Sequence, residues 1–223
     1  MATQKIRKIK PPARLLILFC LGIVQCGTVA SVQPLGKGNS AITFSSGGPV
    51  TTIFGMKMPI PYTVLRYRKG LNENTDFHFG IHPTLMIMGN MSLDIGITKH
   101  ILSPSGFKPG LSAGTSIYGF YHMNKLSTAR VFPELSVIGS YPLFNQDQWL
   151  YFGLQSMFQY IKPYAALVPL VGFEFHPGKR FMFNLETKWY APTEESANRV
   201  VDYEIRPFDQ GAVGFVWGIS YRF

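Results

Sequence analysis

The chain has 223 residues, a length typical of one domain, and a formal net charge of +9. Five of its 21 basic residues lie before residue 15, where no acidic residue occurs, which leaves 16 basic and 12 acidic residues in the rest. That balance excludes the strongly basic surface of a nucleic-acid-binding protein, and we predict no nucleic-acid partner. The only cysteines, Cys20 and Cys26, lie near the amino terminus, which excludes a disulfide framework in the remainder.

The amino-terminal residues predict a targeting signal. Basic residues precede an apolar stretch from Leu15 to Val24, which is too short to span a bilayer comfortably. We therefore predict a signal peptide over residues 1–25. Residues 26–48 are rich in Gly, Ser and Pro and predict a flexible tether.

Two ends of the leader fit the sequence. The stretch IVQC resembles a lipobox, in which Cys26 is acylated and becomes the mature amino terminus. Gln25 stands where that pattern has Gly, Ala or Ser. In the other interpretation, an ordinary signal peptidase recognises Thr28-Val29-Ala30 and cuts before Ser31. We favour acylation of Cys26.

Ten strand-like segments follow the tether, each bounded by turn residues. They are predicted at residues 50–57, 62–69, 75–82, 91–101, 111–123, 131–143, 149–160, 164–176, 180–190 and 211–223. In most of them apolar side chains alternate with small or polar ones, so one face of each strand is apolar. No apolar run of 18 or more residues follows the leader, so any further insertion into a membrane requires a closed barrel.

The last strand, GAVGFVWGISYRF, is unusually aromatic on one face. Trp217, Tyr221 and Phe223 lie on this face, opposite small or polar residues. A final strand of this kind resembles the closing strand of Gram-negative outer-membrane β-barrels. This resemblance implies that the barrel-assembly machinery reads these three residues as a carboxy-terminal signal. A soluble sandwich with a buried aromatic face is the alternative.

The whole chain resembles small Gram-negative outer-membrane β-barrel proteins of the OmpA-like or Bacteroidetes type, with the lipobox adding a resemblance to lipoproteins. This resemblance implies an all-β, antiparallel up-and-down transmembrane β-barrel over residues 49–223, with ten strands or, alternatively, eight or twelve. Such a barrel is embedded in outer-membrane lipid and has both termini in the periplasm. The connection at residues 191–210 is then the longest outer loop. The implied role is structural or accessory, by presenting loops or docking to another outer-membrane protein.

The polar faces of the strands predict the contents of the lumen. The charged residues on these faces are Arg66, Arg68, Asp76, Asp94, Glu134, Glu174, Arg180, Glu186 and Lys188. A barrel of about ten strands is narrow, and buried charges must be paired, so we predict that these groups pair and fill the lumen. A narrow polar channel is the alternative.

An enzyme is a further alternative, because some small outer-membrane barrels hydrolyse lipids with a Ser–His–acid arrangement near the outer rim. His82 and His122 are the histidines predicted at that rim, and Ser116 and Ser127 are candidate nucleophiles. The sequence contains no Gly-x-Ser-x-Gly elbow, phosphate-binding loop, Cys-x-x-Cys pair or dinucleotide fingerprint. We therefore predict no catalytic residue, cofactor or metal site.

Overall fold

A computed structural model of the chain describes residues 27–143, 147–196 and 202–223. The predicted signal peptide and Cys26 lie outside the described residues. The strands are β1 Ser40–Ile53, β2 Met56–Pro59, β3 Thr63–Asn72, β4 Thr75–Ile81, β5 Asn90–Leu102, β6 Gly110–His122, β7 Lys125–Pro142, β8 Gln148–Phe158, β9 Ala165–Phe175, β10 Phe181–Glu195 and β11 Gln210–Arg222. One short helix, α1 at Pro83–Ile87, joins β4 to β5, and a 3₁₀ turn at Pro207–Asp209 precedes β11.

The strands form a closed antiparallel barrel. Each pairs with its neighbour in chain order, except that β3 pairs with β1 and the short β2 only extends β1 beyond the ring. Closure comes from β1 and β11, which pair from Ala41 with Arg222 to Pro49 with Gly214. Ten strands therefore make the ring, which confirms the predicted all-β, up-and-down barrel. The closed ring excludes the alternative, a sandwich of two sheets.

The start of the barrel differs from the prediction. Residues 40–48, predicted as part of a tether, lie in β1, so the barrel begins at Ser40 and not at residue 49. The stretch SAITFSSGG has the composition of a loop, but its small inward side chains suit a crowded lumen. At Gly47 the φ angle is +141°, and a Cβ atom there would overlap the backbone of Phe215 across the closing seam.

The outward face of the barrel is apolar. Exposed Leu, Ile, Val and Phe side chains occupy alternate positions of the ring strands, as at Ile95, Phe152 and Leu185. The 11 residues of β8 span roughly 28 Å along the axis at a tilt of about 40°. This length covers the apolar band of about 25 Å in a membrane barrel. Among the described residues, no helix is long and apolar enough to cross a membrane.

Candidate functional site

The lumen is occupied by the chain's own amino-terminal residues. We call residues 27–36 the luminal segment, the rim that holds Ser40 and Phe223 the terminal rim, and the opposite rim the far rim. The Leu35 N–H points at both carboxylate oxygens of Asp76, 3.2 Å away, one residue inside the terminal rim. Thr28 lies deeper, because its carbonyl accepts a hydrogen bond from Lys188, about 18 Å along the axis from the start of β10.

The deeper half of the luminal segment satisfies a buried ion pair. Lys188 and Glu186 are fully buried, with 3.1 Å between Nζ and Oε2. Lys188 also donates to the Thr28 carbonyl at 2.6 Å and to the Gln155 side chain at 2.9 Å. The Ala30 N–H donates to Glu186. Buried charges are tolerated when both partners have further hydrogen bonds, and the luminal segment supplies two of them.

The shallower half is held by a second ion pair. Arg68 lies 2.7 Å from Asp76 and also donates to the Gln33 carbonyl at 3.1 Å and to the Ser31 hydroxyl. Together with the Leu35 N–H, these contacts join the segment to two strands on one side of the barrel. The luminal segment is therefore anchored by charged groups at both ends of its course.

The luminal segment fits into the lumen because its apolar side chains pack against the wall and because the wall has glycines where the segment comes close. Two clusters contain its side chains: Ala30 and Val32 with Ile138, Tyr151 and Leu170, and Leu35 with Ala41 and Met182. A Cβ atom on Gly70 would overlap the Gly36 carbonyl, and one on Gly218 would lie 3.0 Å from the Val29 side chain. The inward glycines thus provide the space that the segment occupies.

A second polar network fills the lumen nearer the far rim. Asp94 is at its centre, 2.8 Å from Arg66 and 3.0 Å from His82 Nε2. The other ring nitrogen of His82 lies 3.1 Å from the Tyr62 hydroxyl. On the far-rim side of this network, an apolar cluster that includes Leu85 of α1 fills the lumen. Its members are Tyr62, Val64, Leu85, Val168 and Tyr190.

Between the luminal segment and this network lies a polar cavity of about 40 Å³. Ser31, Arg66, His78 and Glu134 are among the residues that line it. Such a volume holds about three water molecules. The cavity is therefore a small pocket inside a filled lumen, far smaller than a pore that crosses the barrel.

The structure does not assemble a Ser–His–acid relay from the predicted rim residues. His82 is fully buried and uses both ring nitrogens, and the exposed His122 accepts a hydrogen bond from the Asn124 backbone. Ser116 lies instead 3.1 Å from Nε2 of His78. That same nitrogen faces Asp94 at 3.6 Å, whereas a catalytic histidine contacts serine and acid through opposite nitrogens. Ser127 is exposed.

The predicted lumen residues differ in where they lie. Arg68, Asp76, Asp94, Glu134, Glu174, Glu186 and Lys188 are buried inside, and Arg66 is nearly so. Arg180 is a correction: it precedes β10 and is exposed, and its guanidinium donates to the hydroxyl of the outward Tyr221 at 3.2 Å. Trp217, Tyr221 and Phe223 are exposed on the barrel exterior.

Sequence reasoning missed the residues of the luminal segment itself. Thr28, Ala30, Ser31 and Leu35 were assigned to a tether because small residues surround them. One signal was present: the inward faces of several strands carry Gly and Ser where a lumen filled only by wall side chains would need larger residues. That deficit of volume indicates an internal occupant.

The closed ring, the apolar exterior and the charged, filled interior define a transmembrane β-barrel protein of the outer membrane, as the sequence predicted.

Solved structures with a similar fold are outer-membrane barrels. The attachment invasion locus protein Ail of Yersinia pestis has 11% identity and a TM-score of 0.29, covering 84% of this chain and 99% of Ail. The NanC porin has 10% identity and a TM-score of 0.43, covering 82% and 98%. The translocator domain of the autotransporter NalP from Neisseria meningitidis has 13% identity and a TM-score of 0.36, covering 95% and 94%. No protein-family model and no curated protein matches the sequence. The likeness is too distant to indicate a function.

Proposed function

We propose that this protein is a closed, non-conducting outer-membrane barrel with a structural or accessory role, which presents its far-rim connections to another outer-membrane protein. By the rule for bacterial barrels, the terminal rim faces the periplasm and the far rim faces outward. The observation that carries the proposal is the occupation of the lumen by residues 27–36 and their ion pairs. A continuous pore would require these groups to separate.

Energetics favour the closed state. Opening a path past the luminal segment would remove the Thr28 carbonyl from Lys188 and the Ala30 N–H from Glu186. Leaving a buried polar group without its partner costs about 1–3 kcal/mol, and more for a charged group. The segment also packs its apolar side chains in two clusters. The barrel is therefore closed by several independent contacts.

Planar-bilayer recording tests the closed lumen. The refolded chain of residues 27–223 is expected to give no steady ohmic steps, whereas deletion of residues 27–36 is expected to give them. A matched control replaces residues 27–36 with a Gly-Ser sequence of equal length, which keeps the chain length but removes the packed side chains. Steady conductance from the intact protein would refute the closed barrel and favour the narrow channel.

The far rim supports the accessory role. A highly exposed apolar or aromatic side chain lies in, or within two residues of, each of its five connections: Phe54 97%, Ile87 88%, Leu126 73%, Tyr160 95% and Phe208 89%. A cluster of exposed apolar side chains marks a surface for association, and the terminal rim has one fully exposed aromatic side chain, Phe107, for comparison. A photo-crosslinking residue at these positions is expected to capture a discrete protein in intact cells. The same probe at the lipid-facing Phe152 is the control and is expected to capture lipid; equal protein capture at both places would contradict docking at the rim.

The carboxy-terminal strand supports assembly by the barrel-assembly machinery. Trp217 and Tyr221 point outward from β11, and Phe223 directly after the strand is exposed, so a folding factor can reach all three before the seam with β1 closes. Removal of Phe223 is expected to lower the amount of heat-modifiable, folded barrel in outer-membrane fractions. Unchanged assembly would contradict the signal.

A further inference from the structure

We propose that the outer surface of the closing seam binds an anionic phospholipid at the terminal rim, with Arg180 on its phosphate group and aromatic rings along its acyl chains. This binding goes beyond the structural role proposed above, and it rests on that proposal only for the leaflet, which is the periplasmic one. The outward rings of β10, β11 and β1 beside the seam form what we call the aromatic lane: Phe44, Phe181, Phe183, Phe215, Trp217 and Tyr221.

Arg180 is held at the rim by its main chain and by its side chain. Its carbonyl accepts a hydrogen bond from the Arg222 N–H at 2.7 Å, which continues the pairing of β10 with β11 by one residue. Its guanidinium donates to the Tyr221 hydroxyl at 3.2 Å. The cation therefore lies against the outside of the barrel where the strands end, at the level where lipid headgroups meet hydrocarbon.

The guanidinium of Arg180 can donate further hydrogen bonds. A guanidinium has five N–H donors in a planar fork that matches the oxygens of a phosphate group. Among the described residues, the Tyr221 hydroxyl is its one acceptor, and no carboxylate forms an ion pair with it. Glu174, at the same end of β9, points into the lumen, and the exposed Asp147 lies on the connection before β8, which β9 separates from β10. The cation is therefore available to an anion in the membrane.

Aromatic rings surround the point where the guanidinium is held. The ring of Tyr221 lies 5.2 Å from that of Phe181 and 6.4 Å from that of Phe223, measured between ring centres. Further along the seam, the rings of Phe44 and Trp217 are 5.6 Å apart. Tyr and Trp favour the membrane interface because their rings contact hydrocarbon while their polar atoms stay near the headgroups. The aromatic lane thus gives acyl chains a contact surface directly beside the cation.

The aromatic lane is as deep as one leaflet. Tyr221 and Phe215 are six positions apart on β11. This separation is roughly 15 Å along the axis at a tilt of about 40°. The hydrocarbon core of a bilayer is about 30 Å thick, so one leaflet has about half of that thickness. A lipid whose phosphate group lies at Arg180 would therefore contact the lane from its headgroup to the bilayer midplane.

Charge favours a lipid with a net negative charge. Lys179, directly before Arg180, is also exposed and adds a second cation. A zwitterionic lipid would bring its own ammonium group close to these cations. Lys99, another outward cation near the terminal rim, pairs with Thr75 and Ala113 and has no aromatic ring opposite it. Arg180 therefore combines a cation with aromatic neighbours in a way that Lys99 does not.

Quenching of tryptophan fluorescence by brominated lipids measures which lipid contacts the aromatic lane. The chain has three tryptophans, and Trp149→Phe with Trp189→Phe leaves Trp217 as the reporter. The folded barrel is purified from outer membranes and reconstituted in vesicles of phosphatidylcholine with increasing brominated phosphatidylglycerol. We expect phosphatidylglycerol to bind beside Trp217 about fivefold more strongly than brominated phosphatidylcholine, the advantage that one cation gives an anionic lipid near a membrane surface. Equal binding of the two lipids would overturn the proposal.

Four variants, each checked for the heat-modifiable folded band, identify the group that binds phosphate. Arg180→Gln is expected to abolish the preference for phosphatidylglycerol, and Arg180→Lys, which keeps the charge but loses the planar fork, to retain part of it. Tyr221→Phe keeps the ring but removes the hydroxyl that holds the guanidinium, so it should weaken the preference. Lys99→Gln is the matched control and should leave the preference unchanged. An equal loss from Arg180→Gln and Lys99→Gln would show a general effect of surface charge and overturn the site.

Competition with unlabelled lipid A tests the leaflet, because lipid A supplies phosphate groups in the outer leaflet. We expect unlabelled phosphatidylglycerol to relieve the quenching of Trp217 at lower concentration than lipid A. Tighter competition by lipid A would assign the rim to the outer leaflet and overturn the proposed lipid. Because these readouts measure lipid contact and not conductance or crosslinking, the closed barrel and its docking role can fail while the lipid site stands, and the reverse.

Discussion

Replacing Lys188 with methionine removes the cation at the centre of the contact between wall and luminal segment. Its ammonium group is fully buried and lies 2.6 Å from the Thr28 carbonyl, 2.9 Å from Gln155 and 3.1 Å from Glu186. The variant leaves the Glu186 carboxylate buried with two hydrogen-bond donors from the described part of the chain, the Tyr151 hydroxyl and the Ala30 N–H. Breaking a buried pair on one side destabilises proteins by about 3–5 kcal/mol. We therefore expect the free energy of unfolding to fall by about that amount.

The double variant Lys188→Met with Glu186→Gln separates charge from packing. Because replacement of a whole buried ion pair by neutral groups is often nearly neutral, the double variant is expected to recover most of the loss. Unfolding is followed by urea titration in detergent micelles, with the heat-modifiable band on gels as the measure of folded barrel. Lys99→Met is the matched control, since Lys99 is an exposed cation on β5, and its effect should stay within about 0.5 kcal/mol. A double variant that loses the sum of both single effects would refute the buried pair.

Gly70→Ala is expected to displace the luminal segment, because its Cβ would overlap the Gly36 carbonyl, and to produce conductance steps in bilayers; Gly119→Ala, where nothing lies within 4 Å, should stay silent. At the far rim, a hydrogen bond from Lys57 holds the pKa of the Glu204 carboxyl below its usual range. This contact therefore steadies the β2 hairpin at neutral pH and is lost as the pH falls through the lowered pKa of Glu204. The protection factors of the β2 amides, which correct exchange for its intrinsic dependence on pH, should accordingly fall in acid, and Lys57→Gln should show low protection at both pH values. Equal conductance from the two glycine variants, or β2 protection factors that do not change with pH in the natural chain, would contradict these contacts.

The sequence by itself determined the strands and their faces. In β5, Leu93, Ile95 and Ile97 alternate with Ser92 and Asp94, and the structure exposes the first set and buries the second. This alternation is local, since successive side chains of a strand point to opposite sides whatever the rest of the chain does. The same local rule found the aromatic exterior of β11, and the even number of strands followed from counting turns.

The contents of the lumen were decided only by the tertiary structure. Lys188 and Thr28 are 160 positions apart in the sequence. The hydrogen bond between them therefore forms only after the ring of strands has closed. Arg180 shows the same limit, because its place just before β10 lets it reach an exterior tyrosine although alternation predicted an inward position. Residues 27–48 are rich in small side chains, which locally favour a loop. These residues form an internal segment and part of the first strand only because the closed barrel wall contacts them and has glycines at the contact points. Contacts across a lumen do not repeat with any period along the sequence, so no local pattern predicts them.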